Sequence, residues 1–321
     1  MKDPNALATS LAIAALPQEA YELGKLFSDG GFKLALVGGS VRDAILGRLS
    51  TDLDFTTNAK PDESKNILKS WSERFWEVGR DFGTIAAEKN GITVEITTYR
   101  REKYDPTSRK PIVEFGSEIE IDLSRRDFTV NAMALELTTP TPTFIDLFDG
   151  VTDLAKKVLR TPINAEELFT EDPLRMMRAA RFISQLHFEV DPAIPAAIAK
   201  LASRMEIISA ERIHDELIKL LMGAAPRNGL SLMVETGLAE YVLPELPKLK
   251  LEVDEHHHHK DVYEHTLKVL EQAIALEGNG KMADQFKEQA EFVRKAAASE
   301  LALRGKDFTL EQLIAQEELF Q

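Results

Sequence analysis

Cysteine is absent from the sequence of 321 residues. This absence excludes disulfide bonds, thiolate catalysis and cysteine-ligated metal sites, and it favours a cytoplasmic protein because disulfides accumulate in oxidising compartments. The sequence also has no apolar run that approaches the ~20 residues of a membrane-spanning helix. The Lys-Asp-Pro start, followed by only a short apolar run, does not resemble a signal peptide. We therefore expect a cytoplasmic protein without a membrane partner.

Basic residues are few compared with acidic ones. The 39 Lys and Arg residues stand against 53 Asp and Glu residues, which gives a net charge of -14. This charge excludes a protein that coats nucleic acid through its overall field, although a local basic groove remains compatible with it. A chain of this length exceeds what one core usually serves, so we expect two or more domains.

A glycine pair joins a strand pattern to a helix pattern. The segment "FKLALVGG" is typical of a buried strand that ends at glycine, and "SVRDAILGR" has apolar residues at helical spacing with Ser40 available as the N-cap. A glycine turn that leads into a helix N-terminus presents backbone N–H groups and a positive dipole, which suit phosphate. Arg42 adds a guanidinium nearby. A tight turn without a ligand is the alternative interpretation.

Two aspartates follow at strand spacing in "STDLDFTTN". Residues two apart on a strand share a face, so Asp52 and Asp54 project together while Leu53 and Phe55 enter the core. Two adjacent like charges are unfavourable unless a cation neutralises them, and Mg²⁺ prefers carboxylate and phosphate oxygens. The alternative is a solvated strand end.

A hairpin signal supplies a third carboxylate. In "GTIAAEKNGITVEITTYR", the pair Asn90-Gly91 favours a type I′ turn between two strands. Glu95 then lies on the polar face of the second strand, where it can face the aspartate pair, unless it is an ordinary surface residue. Residues 101–122 contain two prolines, several charges and little apolar periodicity, which predicts a mobile loop.

These motifs resemble those of a known family. The run Gly38-Gly39-Ser40 with Arg42-Asp43, the aspartate pair and "EITTYR" resemble the head of the class II tRNA nucleotidyltransferases and bacterial poly(A) polymerases, in the DNA polymerase β-like superfamily. The resemblance covers about residues 30 to 275. Further segments match in the same order: "RRDFTVNAMA" (125–134), "IDLFDG" (145–150), "EDPLRMMRAARF" (171–182) and "ERIHDELIKLL" (211–221).

The resemblance implies a role for each matching residue. Asp52, Asp54 and Glu95 would be the catalytic carboxylates that hold two Mg²⁺ ions, one activating the primer 3′-hydroxyl and the other steadying the triphosphate. Asp172 and Arg175 would read the Watson–Crick edge of the incoming base, although an arginine-rich helix is otherwise often only a solvated face. The residues implied to bind nucleotide are Gly38, Gly39, Ser40, Arg42, Arg126, Asp127, Asn131, Asp172, Arg175, Arg178 and Arg181.

The resemblance also implies the architecture and the reaction. We expect an α+β head with a mixed β-sheet of about five strands, followed by an all-α neck, body and tail. The expected function is template-independent addition of CCA to tRNA 3′ ends from CTP and ATP, with release of pyrophosphate. A poly(A) polymerase and a non-catalytic RNA-binding protein are the alternatives. The expected domains are an N-terminal helical segment (1–29), the head (30–160), the neck and body (161–250) and the tail (251–321).

The last part of the sequence resembles the start of a second domain. The segment "KDVYEHTLKVL" is similar to the opening of an HD phosphohydrolase domain, in which His265 would be the first metal ligand. No histidine follows residue 265, so the His-Asp pair that such a site needs is missing. We therefore predict no HD hydrolase, and assign no role to the run from His256 to His259. Past residue 278 the pattern indicates two amphipathic helices.

Overall fold

The chain divides into two compact units. A computed structural model describes residues 4–77, 83–103, 112–116, 118–250 and 262–278. The units are Met1–Glu171 and Asp172–Gln321. The run from His256 to His259 and the helices predicted after residue 278 lie outside the described residues. Among the residues that are described, no helix combines the length and the apolar character required to cross a membrane.

The first unit is built around a mixed β-sheet. Its strands are β1 (Leu34–Val37), β2 (Asp52–Thr57), β3 (Arg74–Trp76), β4 (Thr84–Lys89), β5 (Ile92–Thr98), β6 (Arg100–Lys103), β7 (Ile112–Phe115), β8 (Met133–Glu136), β9 (Thr143–Asp146) and β10 (Val158–Leu159). Seven of them form one sheet in the order β3-β4-β5-β2-β1-β8-β9. Strands β2 and β5 are parallel, whereas the other neighbours in this sheet are antiparallel. The mixed sheet that was predicted is therefore confirmed.

The sheet has more strands than the sequence indicated. The two strands at its edges, β3 and β9, have three and four residues. Segments this short show no apolar alternation, so their pairing depends on the strands beside them. The periodic strands were predicted correctly: all four residues of β1 are buried, and Leu53 and Phe55 of β2 are each 1% exposed.

Helices cover the first unit. They are α1 (Pro4–Ala15), α2 (Gln18–Asp29), α3 (Gly39–Ile45), α4 (Pro61–Trp71), α5 (Ile119–Ser124), α6 (Gly150–Lys156) and α7 (Ala165–Glu171), with a 3₁₀ turn at Thr129–Asn131. The first of these helices packs against α3 and buries Ala8 and Ala12. The helix that carries the glycine turn is thereby held between the sheet and the N-terminal segment.

The segment 101–122 differs from its prediction as a loop. Strands β6 and β7 pair as an antiparallel hairpin, with Arg100 opposite Phe115, and α5 begins at Ile119. Pairing between the two strands orders a segment whose composition alone gives no strand signal. Residues 104–111 and 117 of this segment lie outside the described residues.

The described residues of the second unit form helices and connecting turns apart from the two-residue strand β11 (Glu189–Val190). Its helices are α8 (Leu174–Leu186), α9 (Ala193–Leu201), α10 (Ala210–Leu221), α11 (Pro226–Glu235), α12 (Ala239–Val242), α13 (Glu245–Lys248) and α14 (Val262–Gly278), with a 3₁₀ helix at Ala202–Ile207. At its centre, α8 packs against both α10 and α11. Burial extends to most of α8, well beyond a single apolar stripe, and includes Arg175 and Arg181.

Candidate active site

Three carboxylates lie on one face of the sheet, where β2 runs beside β5. Asp52 and Asp54 are separated by the buried Leu53, so their side chains share the opposite face. The parallel register places Asp54 directly beside Glu95. The predicted facing of Glu95 toward the aspartate pair is thus observed in the strand register. On its other side, Glu95 is paired with Ala86 of β4, a residue with a small side chain.

The fold makes these negative charges costly. Burial raises the pKa of Asp54, and Asp52 raises it further, against the opposing effect of Arg126. Burial also raises the pKa of Glu95, followed by the charges of Asp54 and Asp52. Both side chains nevertheless remain accessible to solvent. The three groups therefore act electrostatically as one site that a cation would stabilise.

The carboxylates fit Mg²⁺ by their chemistry. Within the part of the chain that the structure describes, no three Asp, Glu or His side chains converge into a preformed metal cage. A cage is not what Mg²⁺ normally uses, because it is usually held by one or two carboxylates together with waters and substrate phosphates. Asp52, Asp54 and Glu95 offer suitable oxygen donors on one surface.

The glycine turn lies at the start of α3. Gly38 is the residue before this helix and has a φ of 69°, a left-handed conformation that favours glycine. Ser40 is not the N-cap that the sequence predicted, because the helix begins at Gly39 once Gly38 makes the turn. The Ser40 hydroxyl instead accepts a hydrogen bond of 3.0 Å from the backbone N–H of Asp54. The turn and the aspartate strand are thus joined directly.

Arg42 belongs to a buried polar network. Its Nη1 donates to Oδ1 of Asn131 at 2.6 Å, and its Nη2 bonds to Asp43 at 2.7 Å. The amide of Asn131 in turn donates to Asp127 at 3.0 Å. The structure therefore brings together Arg42, Asp127 and Asn131, three of the residues that the resemblance implies bind nucleotide. Asp43 also binds Arg48 at 3.0 Å, which fixes the far end of the network.

Arg126 is held by Asp122, a residue that the sequence analysis did not single out. Its Nη2 donates to Oδ2 of Asp122 at 2.9 Å, and the other carboxylate oxygen accepts from Arg125 at 2.6 Å. On the opposite side, Nη1 of Arg126 is 2.9 Å from the position that a Cβ on Gly38 would occupy. Spacings of three and four residues on a helix are a signal that predicts such ion pairs.

Asp172 lies at the start of α8 in the second unit. Its Oδ1 accepts a hydrogen bond of 3.1 Å from the backbone N–H of Leu174, and its Oδ2 is 3.6 Å from Nη2 of Arg212 on α10. Arg175 follows one turn later and is 6% exposed. The two residues implied to read the base therefore lie together at one end of this helix.

The remaining arginines of α8 bind a glutamate. Arg181 and Arg178 lie 3.1 and 3.6 Å from the buried carboxylate of Glu216, and their guanidinium groups are 4.4 and 5.5 Å from the ring centre of Phe182. The sequence analysis missed Glu216, which lies 35 residues from Arg181, because no local spacing indicates a contact between two helices. Both arginines therefore contact a carboxylate of α10.

Comparison with known proteins gives a clear match for the first unit. Residues 34–160 match the family described as the poly A polymerase head domain, and residues 187–249 match the family described as a probable RNA and SrmB-binding site of polymerase A. Residues 34–160 of the chain belong to the poly A polymerase head-domain family. The matched head domain contains the three carboxylates, the glycine turn and the Arg42 network. The start of α8, with Asp172 and Arg175, falls between the two matched segments.

The chain is also similar to two CCA-adding enzymes. The chain is 41% identical over 231 residues to a CCA-adding enzyme of Levilactobacillus brevis, and 43% identical over 224 residues to one of Latilactobacillus sakei. Each alignment covers 70% of this chain, and 56% and 55% of the two relatives. The chain therefore spans somewhat more than half the length of these proteins.

A solved structure is similar to the chain as well. The crystal structure of the Bacillus stearothermophilus CCA-adding enzyme in complex with CTP aligns with a TM-score of 0.61 and 28% identity. The alignment covers 90% of this chain and 78% of that protein. The predicted fold class, an α+β head followed by helices, is confirmed.

Proposed function

We propose that this protein adds CCA to the 3′ ends of tRNA from CTP and ATP, with release of pyrophosphate. The observation that carries this proposal is the set of three carboxylates beside a glycine turn, where a helix start and two arginines meet the aspartate strand. Nucleotidyl transfer needs such a combination, because carboxylates bind the metal while donors bind the triphosphate. Identities of 41% and 43% to CCA-adding enzymes support the choice of this reaction.

Asp52, Asp54 and Glu95 are proposed to hold two Mg²⁺ ions. When bound, these ions would supply activation of the RNA 3′-hydroxyl and neutralisation of the charge on the triphosphate. The pKa values of Asp54 and Glu95 are raised first by burial and then by neighbouring carboxylates, which supports this role because a bound cation would favour the charged form of each group. Other residues of the head are proposed to position the substrate.

The triphosphate is proposed to bind at the start of α3. The turn at Gly38 and Gly39 presents backbone N–H groups, and Arg42 and Arg126 add guanidinium forks that match phosphate oxygens. Asp127 and Asn131 hold the Arg42 side chain through the network, so that its orientation is fixed before a nucleotide arrives. Ser40 would contribute by fixing the aspartate strand to the turn.

Base selection is proposed to depend on the second unit. Asp172 and Arg175 offer a carboxylate acceptor and a guanidinium donor, which together can serve the edge of cytosine or adenine. Their position at one end of α8 supports a joint role. Arg178 and Arg181 were also implied to bind nucleotide. Because both contact Glu216, we propose that they act mainly by holding α8 against α10.

The RNA is proposed to contact the helical part of the chain. In this proposal the segment 1–29 supports the head (30–160), the neck and body (161–250) bind tRNA, and the tail (251–321) follows. The match of residues 187–249 to an RNA-binding family supports this assignment. A tRNA substrate would place the protein in the cytoplasm.

Poly(A) polymerase activity is the second candidate. The family that matches the head is described by that activity, and both reactions use the same head motifs. A non-catalytic RNA-binding protein is disfavoured, because Asp52, Asp54 and Glu95 are all present and share one face.

A primer-extension assay tests the proposal. The purified chain is incubated with Mg²⁺, each labelled nucleotide in turn, and tRNA transcripts that end at the discriminator base, at C or at CC. We expect CTP to extend the first two transcripts, ATP to extend the third, and the mixture of both nucleotides to add three residues and then stop. UTP and GTP should be incorporated poorly.

Other outcomes of this assay point elsewhere. A long tract of A on any RNA would replace the proposal by poly(A) polymerase. RNA binding without incorporation of any nucleotide would favour the non-catalytic alternative. The variant Asp52→Ala serves as the control, since it should bind RNA like the parent while losing incorporation.

A further inference from the structure

A fully buried carboxylate holds two adjacent arginines in the head. Asp122 on α5 has no exposed side-chain surface, and its two oxygens bind Arg125 at 2.6 Å and Arg126 at 2.9 Å. Burial alone would raise the pKa of Asp122, but the charges and hydrogen bonds of Arg126 and Arg125 outweigh it and lower this pKa. A buried carboxylate with one charged partner for each oxygen is a well-compensated and directional anchor.

The two arginines differ in what else they reach. The Nη1 atom of Arg126 lies 2.9 Å from the position of a Cβ on Gly38, so its guanidinium lies directly against the glycine turn. The charge of Arg126 also acts on Asp54. About one-fifth of its side chain remains exposed. The guanidinium of Arg126 therefore binds Asp122, lies against the Gly38 turn and acts on Asp54. Arg125 does not approach this turn in the same way.

An arginine fork can serve two acceptors at once. With Nη2 bound to Asp122, the planar guanidinium has a fixed orientation, and Nη1 is directed at the turn that precedes α3. Within the described residues, Nη1 donates no hydrogen bond to another protein group. A donor that is fixed in place before binding loses less conformational entropy when a ligand arrives. Phosphate oxygens are the acceptors that match this geometry.

We propose that Asp122 is a positioning residue for nucleotide binding, which holds the Arg126 guanidinium against the Gly38 turn so that Nη1 meets the triphosphate. This proposal rests on the proposed nucleotidyltransferase function. It assigns Asp122 a role in substrate affinity in addition to its contribution to folding, and it separates Asp122 from the residues that touch substrate.

A double-mutant cycle on nucleotide affinity tests this role. Equilibrium binding of CTP and of ATP is measured for the full chain without RNA, for the parent, Asp122→Asn, Arg126→Ala and the double variant. We expect Asp122→Asn to weaken nucleotide binding about tenfold, and to weaken it no further once Arg126 has been replaced. In steady-state assays, KM for CTP should rise by a similar factor while kcat changes less than about threefold.

Arg125→Gln provides the matched control. It removes the other partner of the same buried carboxylate, so it should lower thermal stability about as much as Asp122→Asn does. Its CTP affinity should stay within about twofold of the parent, because Arg126 keeps its bond. A loss of CTP affinity in Arg125→Gln equal to that in Asp122→Asn would reduce Asp122 to a structural residue and overturn the proposal.

The remaining outcomes separate this inference from the proposed function. If the parent binds neither CTP nor ATP, the nucleotidyltransferase function fails first, and the role of Asp122 fails with it. If the parent binds and Asp122→Asn binds equally well, only the role of Asp122 is overturned. Should Asp122→Asn not fold, Arg126→Lys decides, because one ammonium cannot replace the fork between Asp122 and the turn. A CTP affinity unchanged in Arg126→Lys would contradict the proposal.

Discussion

At the scale of single residues, the site is defined by charges that the fold keeps close together. Asp54 and Glu95 are neighbours across β2 and β5, and each has a raised pKa. A group whose pKa is raised by folding stabilises the protein fully only while it is protonated. This stabilisation is lost as the pH rises through the raised pKa, so at neutral pH the carboxylates lower stability when no metal is bound.

Replacing Asp54 should therefore separate activity from stability. Asp54→Asn should reduce nucleotide addition about a thousandfold or more, because metal binding contributes several kcal/mol to such reactions. In metal-free buffer at pH 7, the variant should unfold at a higher temperature than the parent. This difference should shrink as the pH is lowered, because protonation then removes the charge of the parent as well. Thermal unfolding between about pH 4 and 8 measures the effect.

Glu206→Gln is the control for this pH dependence. Glu206 is exposed and forms no ion pair with another described residue. As a surface substitution away from the site, its replacement should change the free energy of unfolding by no more than about 0.5 kcal/mol. If the melting temperatures of the parent and of Asp54→Asn change in parallel with pH, folding does not raise the pKa of Asp54.

At the scale of secondary-structure elements, the second unit depends on a close contact between α8 and α11. A Cβ on Gly229 would stand 2.5 Å from the carbonyl oxygen of Ala180 and 3.1 Å from the side chain of Leu220. The three helices α8, α10 and α11 thus meet at Gly229 of α11, which has no side chain. This packing supports the helix that carries Arg175.

Gly229→Ala should destabilise the protein in spite of its local preference for helix. Alanine normally stabilises a helix interior relative to glycine by up to about 1 kcal/mol. Here the added methyl group overlaps the α8 backbone, which cannot move away as a flexible side chain can, and overpacking typically costs about 1 to 3 kcal/mol. Urea unfolding should therefore show a net loss of stability.

A glycine with ordinary spacing provides the comparison. A Cβ on Gly116 would meet its nearest atom, the carbonyl oxygen of Tyr99, at 3.9 Å. Gly116→Ala should consequently change the free energy of unfolding by less than about 1 kcal/mol. Equal stabilities of Gly229→Ala and the parent would mean that α11 shifts on α8 at little cost.

At the scale of the whole molecule, residues 34–160 match a known head domain, whereas the later sequence lacks the His-Asp pair of an HD domain. The chain spans 56% and 55% of two CCA-adding enzymes. His265 lies exposed on α14, a helix that packs against α11 and buries Tyr263 and Leu267. Arg227 of α11 binds Glu264 at 2.5 Å and Glu271 at 3.4 Å, so ion pairs also join these two helices.

The histidines should be dispensable for nucleotide addition. Changing His256 to His259 and His265 together to Gln should leave CMP and AMP addition within about threefold of the parent, because a lone imidazole is a poor site for a divalent metal that normally takes several ligands. The parent should also show no metal-dependent phosphatase or phosphodiesterase activity. Hydrolysis of a 2′,3′-cyclic phosphate that disappears in His265→Gln would contradict this prediction.

The sequence determined the features that depend on local periodicity. Alternation placed Asp52 and Asp54 on one face of β2, and the Asn90-Gly91 turn, with φ values of 52° and 75°, fixed the hairpin that carries Glu95. Strands and turns of this kind are set by residues close in the chain, so the face of the strand on which each side chain lies can be predicted. The ordered motifs also indicated the family.

The tertiary structure decided which side chains meet. The parallel pairing of β2 with β5 gave Asp54 its neighbour, and the packing of α8 on α10 gave Arg181 the carboxylate of Glu216. It also assigned the Ser40 hydroxyl to the Asp54 backbone, where the sequence had suggested a helix cap. Periodicity fixes the direction in which a side chain points along its own element. The partner that it finds depends on strand order and helix packing between distant segments, which no local pattern contains.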